Sequence, residues 1–150
     1  MLVSTILRNQ GAGGVATTGP NAKVAEVAAL LAVQPIEMVV VCGPDRKILG
    51  VVTDSDVMRC VAGCGADAHA CAVDVADVMT RRVVTCAPED DLDRVRALMS
   101  DRGLRRIPVA DGDGRFLGLV SMRGALQQQC EESEFEERML EQYFFGLGYR

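Results

Sequence analysis

The chain has no tryptophan, a single histidine, and only six aromatic residues, four Phe and two Tyr, among 150. That histidine, His69, lies between two patterned regions, where a nucleophile–base–orienter constellation is hard to assemble. Neither a P-loop nor a dinucleotide fingerprint is present, so no enzymatic activity is expected. No apolar run approaches the ~18 residues of a membrane span. The opening stretch MLVSTILRNQG lacks the basic segment and long apolar core of a secretory signal. No basic stripe suited to a nucleic-acid backbone is found either. The expectation is a cytoplasmic protein that binds neither membrane nor nucleic acid.

What the chain does have is apolar content, 49% of its residues. A domain of this size buries roughly 68–70% of its unfolded surface and needs no covalent staple. The net charge of −5 is unevenly spread. Residues 131–150 carry six Glu and two Arg, and so hold −4 of it.

The sequence repeats itself at an offset of 68 residues. Val15 meets Val83, Thr17 meets Thr85, Pro20 meets Pro88, and Ala29-Leu30 meets Ala97-Leu98. Val41 meets Val109, Asp45 meets Asp113, Leu49-Gly50 meets Leu117-Gly118, and Val52 meets Val120. No gap is needed from Val15 to Met58. Two copies are too few for a solenoid, so a pair stacked about a pseudo-two-fold is expected.

Each copy reads alike. VATT and VVTC predict short extended pieces, followed by Pro20 or Pro88. Helices are predicted from Ala22 to Val33 and from Asp90 to Arg102, with apolar residues at helical spacing. Hairpins follow, Met38–Cys42 with Ile48–Thr53 and Ile107–Ala110 with Phe116–Ser121, around the turn-rich GPDRK and DGDGR. A second helix closes each copy, near Asp56–Ala62 and Arg123–Gln129. The order β-α-β-β-α, with apolar strands that need helical cover, predicts an α/β sandwich.

The stretch GVVTDSD, Gly50 to Asp56, admits two readings. Thr53 and Asp56, three apart, make a helix cap. The same pair suits a ribose-phosphate group. A carboxylate accepts from both ribose hydroxyls, and a helix N-terminus favours an anion.

Two units in register, ending GVVTDSD and GLVSMRG, resemble a tandem cystathionine-β-synthase-type (CBS) domain pair. RRIPVADGDGRFLGLVS and VADVMTRRVVTCAPEDDL carry the resemblance in the second copy, and it extends from about Leu2 to Gln129. It implies CBS repeats over 1–64 and 75–129, a connection over 65–74, and a C-terminal helix over 130–150. It also implies a regulatory module that needs no cofactor and binds an adenosyl ligand: AMP, ADP, ATP, S-adenosylmethionine or NAD. By position, Asp56 would hold the ribose and Thr53 the phosphate or ribose. Ala16, Thr17 and Thr18 with Val39, Val40 and Val41 would form the base slot. The second copy keeps Ser121 but has Gly124 opposite Asp56. Arg123 there, and the pair Arg105 and Arg106, are candidates for a phosphate, while the main site is expected in the first copy. Ser55 stands where many relatives carry an arginine.

Of six cysteines, three lie with the histidine in CVAGCGADAHAC: Cys60, Cys64, His69 and Cys71. The spacing matches no familiar zinc pattern. A connection with small buried cysteines is the favoured reading, with metal binding or a redox switch as alternatives. The tail EESEFEERMLEQYFFGLGYR places Phe135, Met139, Tyr143 and Leu147 four apart with glutamates on the other face, an amphipathic helix ending near Gly146. It is expected to serve a partner surface. The resemblance implies a homodimer and a regulated protein. A ligand-free dimerisation scaffold is the alternative function.

Overall fold

The computed structural model describes residues 1–10, 16–33, 36, 38–64 and 72–146. In chain order the elements are α1 (Val3–Gln10), β1 (Ala16–Thr18), α2 (Val24–Val33), β2 (Met38–Cys42), β3 (Ile48–Thr53) and α3 (Asp54–Cys64). Then come α4 (Val75–Val78), α5 (Leu92–Arg102), β4 (Arg106–Ala110), β5 (Phe116–Ser121) and α6 (Met122–Gly146). The strands form two sheets, β1-β2-β3 and β4-β5. Valine dominates β2 and the end of β3, where a branched side chain packs well on a pleated surface.

The hairpins of the two copies pair in the same register. Met38 pairs with Thr53 and Val39 with Val52; at the offset of 68, Arg106 pairs with Ser121 and Ile107 with Val120. Even the register irregularity recurs, between Val41 and Cys42 and between Val109 and Ala110. The hairpin turns meet at the pseudo-two-fold. Ile48 N–H donates to the Gly114 carbonyl at 3.0 Å, and Phe116 N–H donates to the Arg46 carbonyl at 2.9 Å. These two bonds are counterparts of each other.

One predicted strand is largely missing. β1 pairs parallel with β2 over three residues, but in VVTC only Cys86 bridges, to Val109. The cause is Pro108. Cys86 N–H donates to the Pro108 carbonyl and Ala110 N–H to the Cys86 carbonyl. The next bond of a parallel ladder would need an N–H from residue 108, and proline has none.

The leading segments are exchanged. The segment that precedes the second copy docks on the first: Val75 N–H donates to the Ala22 carbonyl at 2.8 Å, and Val24 N–H to the Val73 carbonyl at 2.9 Å. The N-terminal segment docks on the second copy in the same way, through Val3 N–H to Asp90 (3.0 Å) and Leu92 N–H to Met1 (2.8 Å). Val75 and Met79 therefore lie in a core with Val27, Val39, Val41 and Val52. Val3 and Ile6 lie in one with Val95, Met99, Ile107 and Val120. A third cluster, Val40, Val51, Phe116 and Leu119, joins the copies.

Several helix boundaries differ from expectation: α2 and α5 begin at Val24 and Leu92, after the expected Ala22 and Asp90. α3 begins at Asp54, and the helix over 123–129 and the tail helix are one element, α6. Between Gly124 and Gly146 there is neither Gly nor Pro, and Glu, Gln, Arg, Leu and Met propagate a helix well. Phe135, Met139, Leu140 and Tyr143 are exposed on it.

Candidate functional site at the head of helix α3

Strand β3 ends at Thr53 and α3 begins at once, so Asp56 falls in the first turn. Asp56 is 5% exposed and is the one buried charged side chain among the described residues. Its Oδ2 accepts from Thr53 N–H at 3.0 Å and lies 3.3 Å from Thr53 Oγ1. Thr80 Oγ1 donates to Oδ1 at 3.3 Å, and the Arg59 guanidinium, one turn along α3, donates to Oδ1 as well. The acid thus reaches back to the N–H of the residue before the helix, half of a capping box. These donors offset the cost of burying a carboxylate.

Sequence reasoning did not single out Arg59 or Thr80. Arg59 was visible at i+3 from Asp56, a spacing that places two side chains on one helix face. Thr80 gave no local signal. It arrives through the exchanged leader, where Val51 N–H donates to the Thr80 carbonyl at 3.0 Å and Thr80 N–H to the Val51 carbonyl at 2.8 Å.

A cavity of about 530 Å³ opens between the copies at this corner. Met38, Thr53, Asp54 and Ser55 line one side, and Gly103, Leu104, Arg105 and Arg106 the other. Arg105 and Arg106 also line a second cavity of about 460 Å³ with Ser121, Met122, Arg123 and Leu126. The fold therefore brings Thr53 to the arginine pair, and the arginine pair to Ser121 and Arg123. Asp56 sits behind Thr53, outside the lining of both. Ser121 Oγ accepts from Gly124 N–H at 3.0 Å and caps α6.

The expected base-slot residues are placed differently. Ala16, Thr17 and Thr18 pair directly with Val39, Val40 and Val41 in one sheet. Adjacent strands lie about 4.8 Å apart, which leaves no room for a ring between them. The three valines are fully buried. Thr17 and Thr18 line a third cavity with Pro44, Arg46 and Phe116, at the opposite end of β2 from Thr53.

His69 and Cys71 lie outside the described residues, as does the side chain of Cys64. Among the described residues no group of three His, Cys, Asp or Glu is placed to hold a metal ion. No helix among them is long and apolar enough to cross a membrane.

Comparison with known proteins agrees with this architecture. The family model described as CBS domain matches twice, over residues 13–63 and 75–129. The mitochondrial CBS domain-containing protein CBSX3 of Arabidopsis thaliana is 30% identical over 125 residues, covering 82% of this chain and 55% of that protein. An uncharacterised protein of Methanopyrus kandleri is 28% identical over 113 residues, covering 75% of this chain and 57% of its own length. The chain thus spans little more than half the length of these curated relatives. Among solved structures, a CBS-domain containing protein from Agrobacterium tumefaciens superposes with a TM-score of 0.72 at 30% identity, covering 85% of this chain and 98% of that one. The complex of CBSX2 with AMP shares the fold, with a TM-score of 0.74 at 19% identity over 88% of this chain and 98% of that one. With two family matches in tandem on a pseudo-two-fold α/β frame, the chain belongs to the CBS-domain family.

Proposed function

We infer that the chain is a non-catalytic regulatory module whose first copy binds an adenosyl ligand at the head of α3. The observation that carries this reading is the buried Asp56 carboxylate set behind Thr53, which itself lines a cavity shared by both copies. A carboxylate held there serves a ribose diol, and Thr53 Oγ1 with Arg105 and Arg106 serves a phosphate. The base lies against the sheet edge near Ala16, since the valine side chains are core. Two proteins of the same fold support the ligand class. One is the AMP complex of CBSX2, the other a CBS domain pair solved with 5-methylthioadenosine and S-adenosyl-L-methionine. The module works as a cytoplasmic homodimer, with the exposed apolar residues of α6 facing the other chain or a regulated protein.

A thermal-shift series with AMP, ADP, ATP, S-adenosylmethionine and NAD tests this. A ligand at 100 times its dissociation constant adds roughly 2.7 kcal/mol to the native state. The ligand-induced rise, not the melting temperature itself, is compared between wild type and Asp56→Ala, because removing a buried acceptor destabilises the fold on its own. A rise lost in the variant supports the site. No rise with any compound sinks it. That outcome favours a ligand-free dimerisation scaffold, a reading supported by the protein donors already on Asp56 and by Gly124 in the second copy.

A further inference from the structure

We propose that Arg59 selects which adenosyl compounds the first site accepts, by holding Asp56 in the free protein and passing to the ligand's phosphate when ribose takes the carboxylate. This rests on the adenosyl reading above.

The carboxylate of Asp56 is already engaged by four protein donors: Thr53 N–H, the hydroxyls of Thr53 and Thr80, and the Arg59 guanidinium. The backbone N–H is fixed by the helix start, and the two hydroxyls turn in place. The guanidinium is the donor that can leave. Its side chain is 75% exposed, while that of Asp56 is 4% exposed. A ribose diol that takes Oδ1 therefore displaces Arg59.

A displaced arginine remains charged, since it cannot lose its proton in a protein. It needs a new anion. Arg59 is the one cation of α3, whose first turn carries Asp54 and Asp56. A ligand with a phosphate returns to Arg59 a charge-assisted partner, with the planar fork suited to it. Adenosine or a thioether relative breaks the ion pair and gives nothing back. Arg59 thus supplies from one turn further along the cation that Ser55 does not.

The second copy supports the pairing of roles. At the offset of 68, Asp56 corresponds to Gly124 and Arg59 to Gln127. Where the carboxylate is absent, the arginine is absent too.

Titration calorimetry of the full chain with AMP and with adenosine provides the test, on wild type, Arg59→Ala and Arg59→Lys. Wild type is expected to favour AMP by roughly tenfold or more, the scale of one hydrogen bond to a charged group. In Arg59→Ala, AMP weakens while adenosine holds or tightens, so the ratio falls at least about fivefold. Arg59→Lys keeps the charge and retains part of the preference, and it carries the test if the alanine variant fails to fold. An unchanged ratio, or equal loss of both ligands, overturns the role of Arg59 and leaves the adenosyl site standing. Wild type that binds neither AMP nor adenosine overturns the role of Arg59, and the thermal-shift series then decides the adenosyl reading separately.

Discussion

Lys47 and Arg115 face each other across an antiparallel bridge, and each is the other's counterpart in the repeat. A residue can pair with its own counterpart only where the pseudo-two-fold axis passes between them. The two hairpin turns therefore sit in equivalent surroundings, and differences between them isolate single-residue effects.

The first such difference is Arg46. Its φ is 67°, and its counterpart Gly114 has φ 85°. Left-handed backbone costs an L-residue roughly 1–2 kcal/mol and costs glycine nothing. Arg46 is held there because its carbonyl accepts from Phe116. Arg46→Gly should stabilise the chain by about 0.5–1 kcal/mol after the added unfolded-state entropy. Gly114→Ala should destabilise it by about 1 kcal/mol or more. Urea denaturation midpoints at constant slope decide both, and a lower midpoint for Arg46→Gly refutes the strain argument.

Gly50 and Gly118 are counterparts as well, but the space beside them differs. A methyl group on Gly50 would meet Met79 Sδ and the Thr80 carbonyl, each at 2.8 Å. On Gly118 it would meet only the end of Leu7, at 2.8 Å. A side-chain tip can move aside, whereas the Thr80 carbonyl is bonded to Val51. Gly50→Ala should cost about 2–3 kcal/mol and Gly118→Ala about 1 kcal/mol or less. Equal losses on thermal melting would contradict this.

Cys86 and Cys130 should differ sharply as nucleophiles. Burial, and then the charge of Asp90, push the Cys86 thiol up to about 12. Cys130 is exposed on α6. The thiolate is the reactive form. With iodoacetamide at pH 8, peptide mass spectrometry should find Cys130 modified while Cys86 stays intact until the chain is denatured.

Asp111 organises the second hairpin turn. Its Oδ1 accepts from Asp113 N–H and Arg115 N–H, each at 2.9 Å. The Arg115 N–H chiefly holds its carboxyl below the usual 3.8, with the Asp113 N–H contributing. A lowered folded value stabilises the native state above the unfolded value and loses that effect as pH falls through the folded one. Asp111→Ala should therefore be less stable than wild type at pH 7. The gap should close as the pH drops below 3.8, and a gap that persists in acid would point to a different role.

Much of this architecture was legible because the offset of 68 holds wherever strands and helices carry apolar side chains inward. The hairpins Val39–Val52 and Ile107–Val120 were read correctly for that reason. The leaders escaped because their own offset is 72: Val3 and Val75 dock alike, yet no single alignment contains them. The spacing of Val3, Ile6 and Leu7 was a helical signal that a short polar segment obscured. At the candidate site, Asp56 was legible as a capping acid. Its ring of donors was only half visible, because Arg59 is local and Thr80 comes from 24 residues away.

The exchange of leaders bears on how such a chain can exist at all. One copy carrying its own leader has an uncovered core and a leader with nowhere to dock. A second copy, turned about a two-fold, meets both needs at once. The chain therefore has the architecture of a symmetric dimer whose halves are covalently joined, and a chain cut within residues 65–71 would leave each fragment in need of a partner, the other fragment or a second copy of itself, to cover its core.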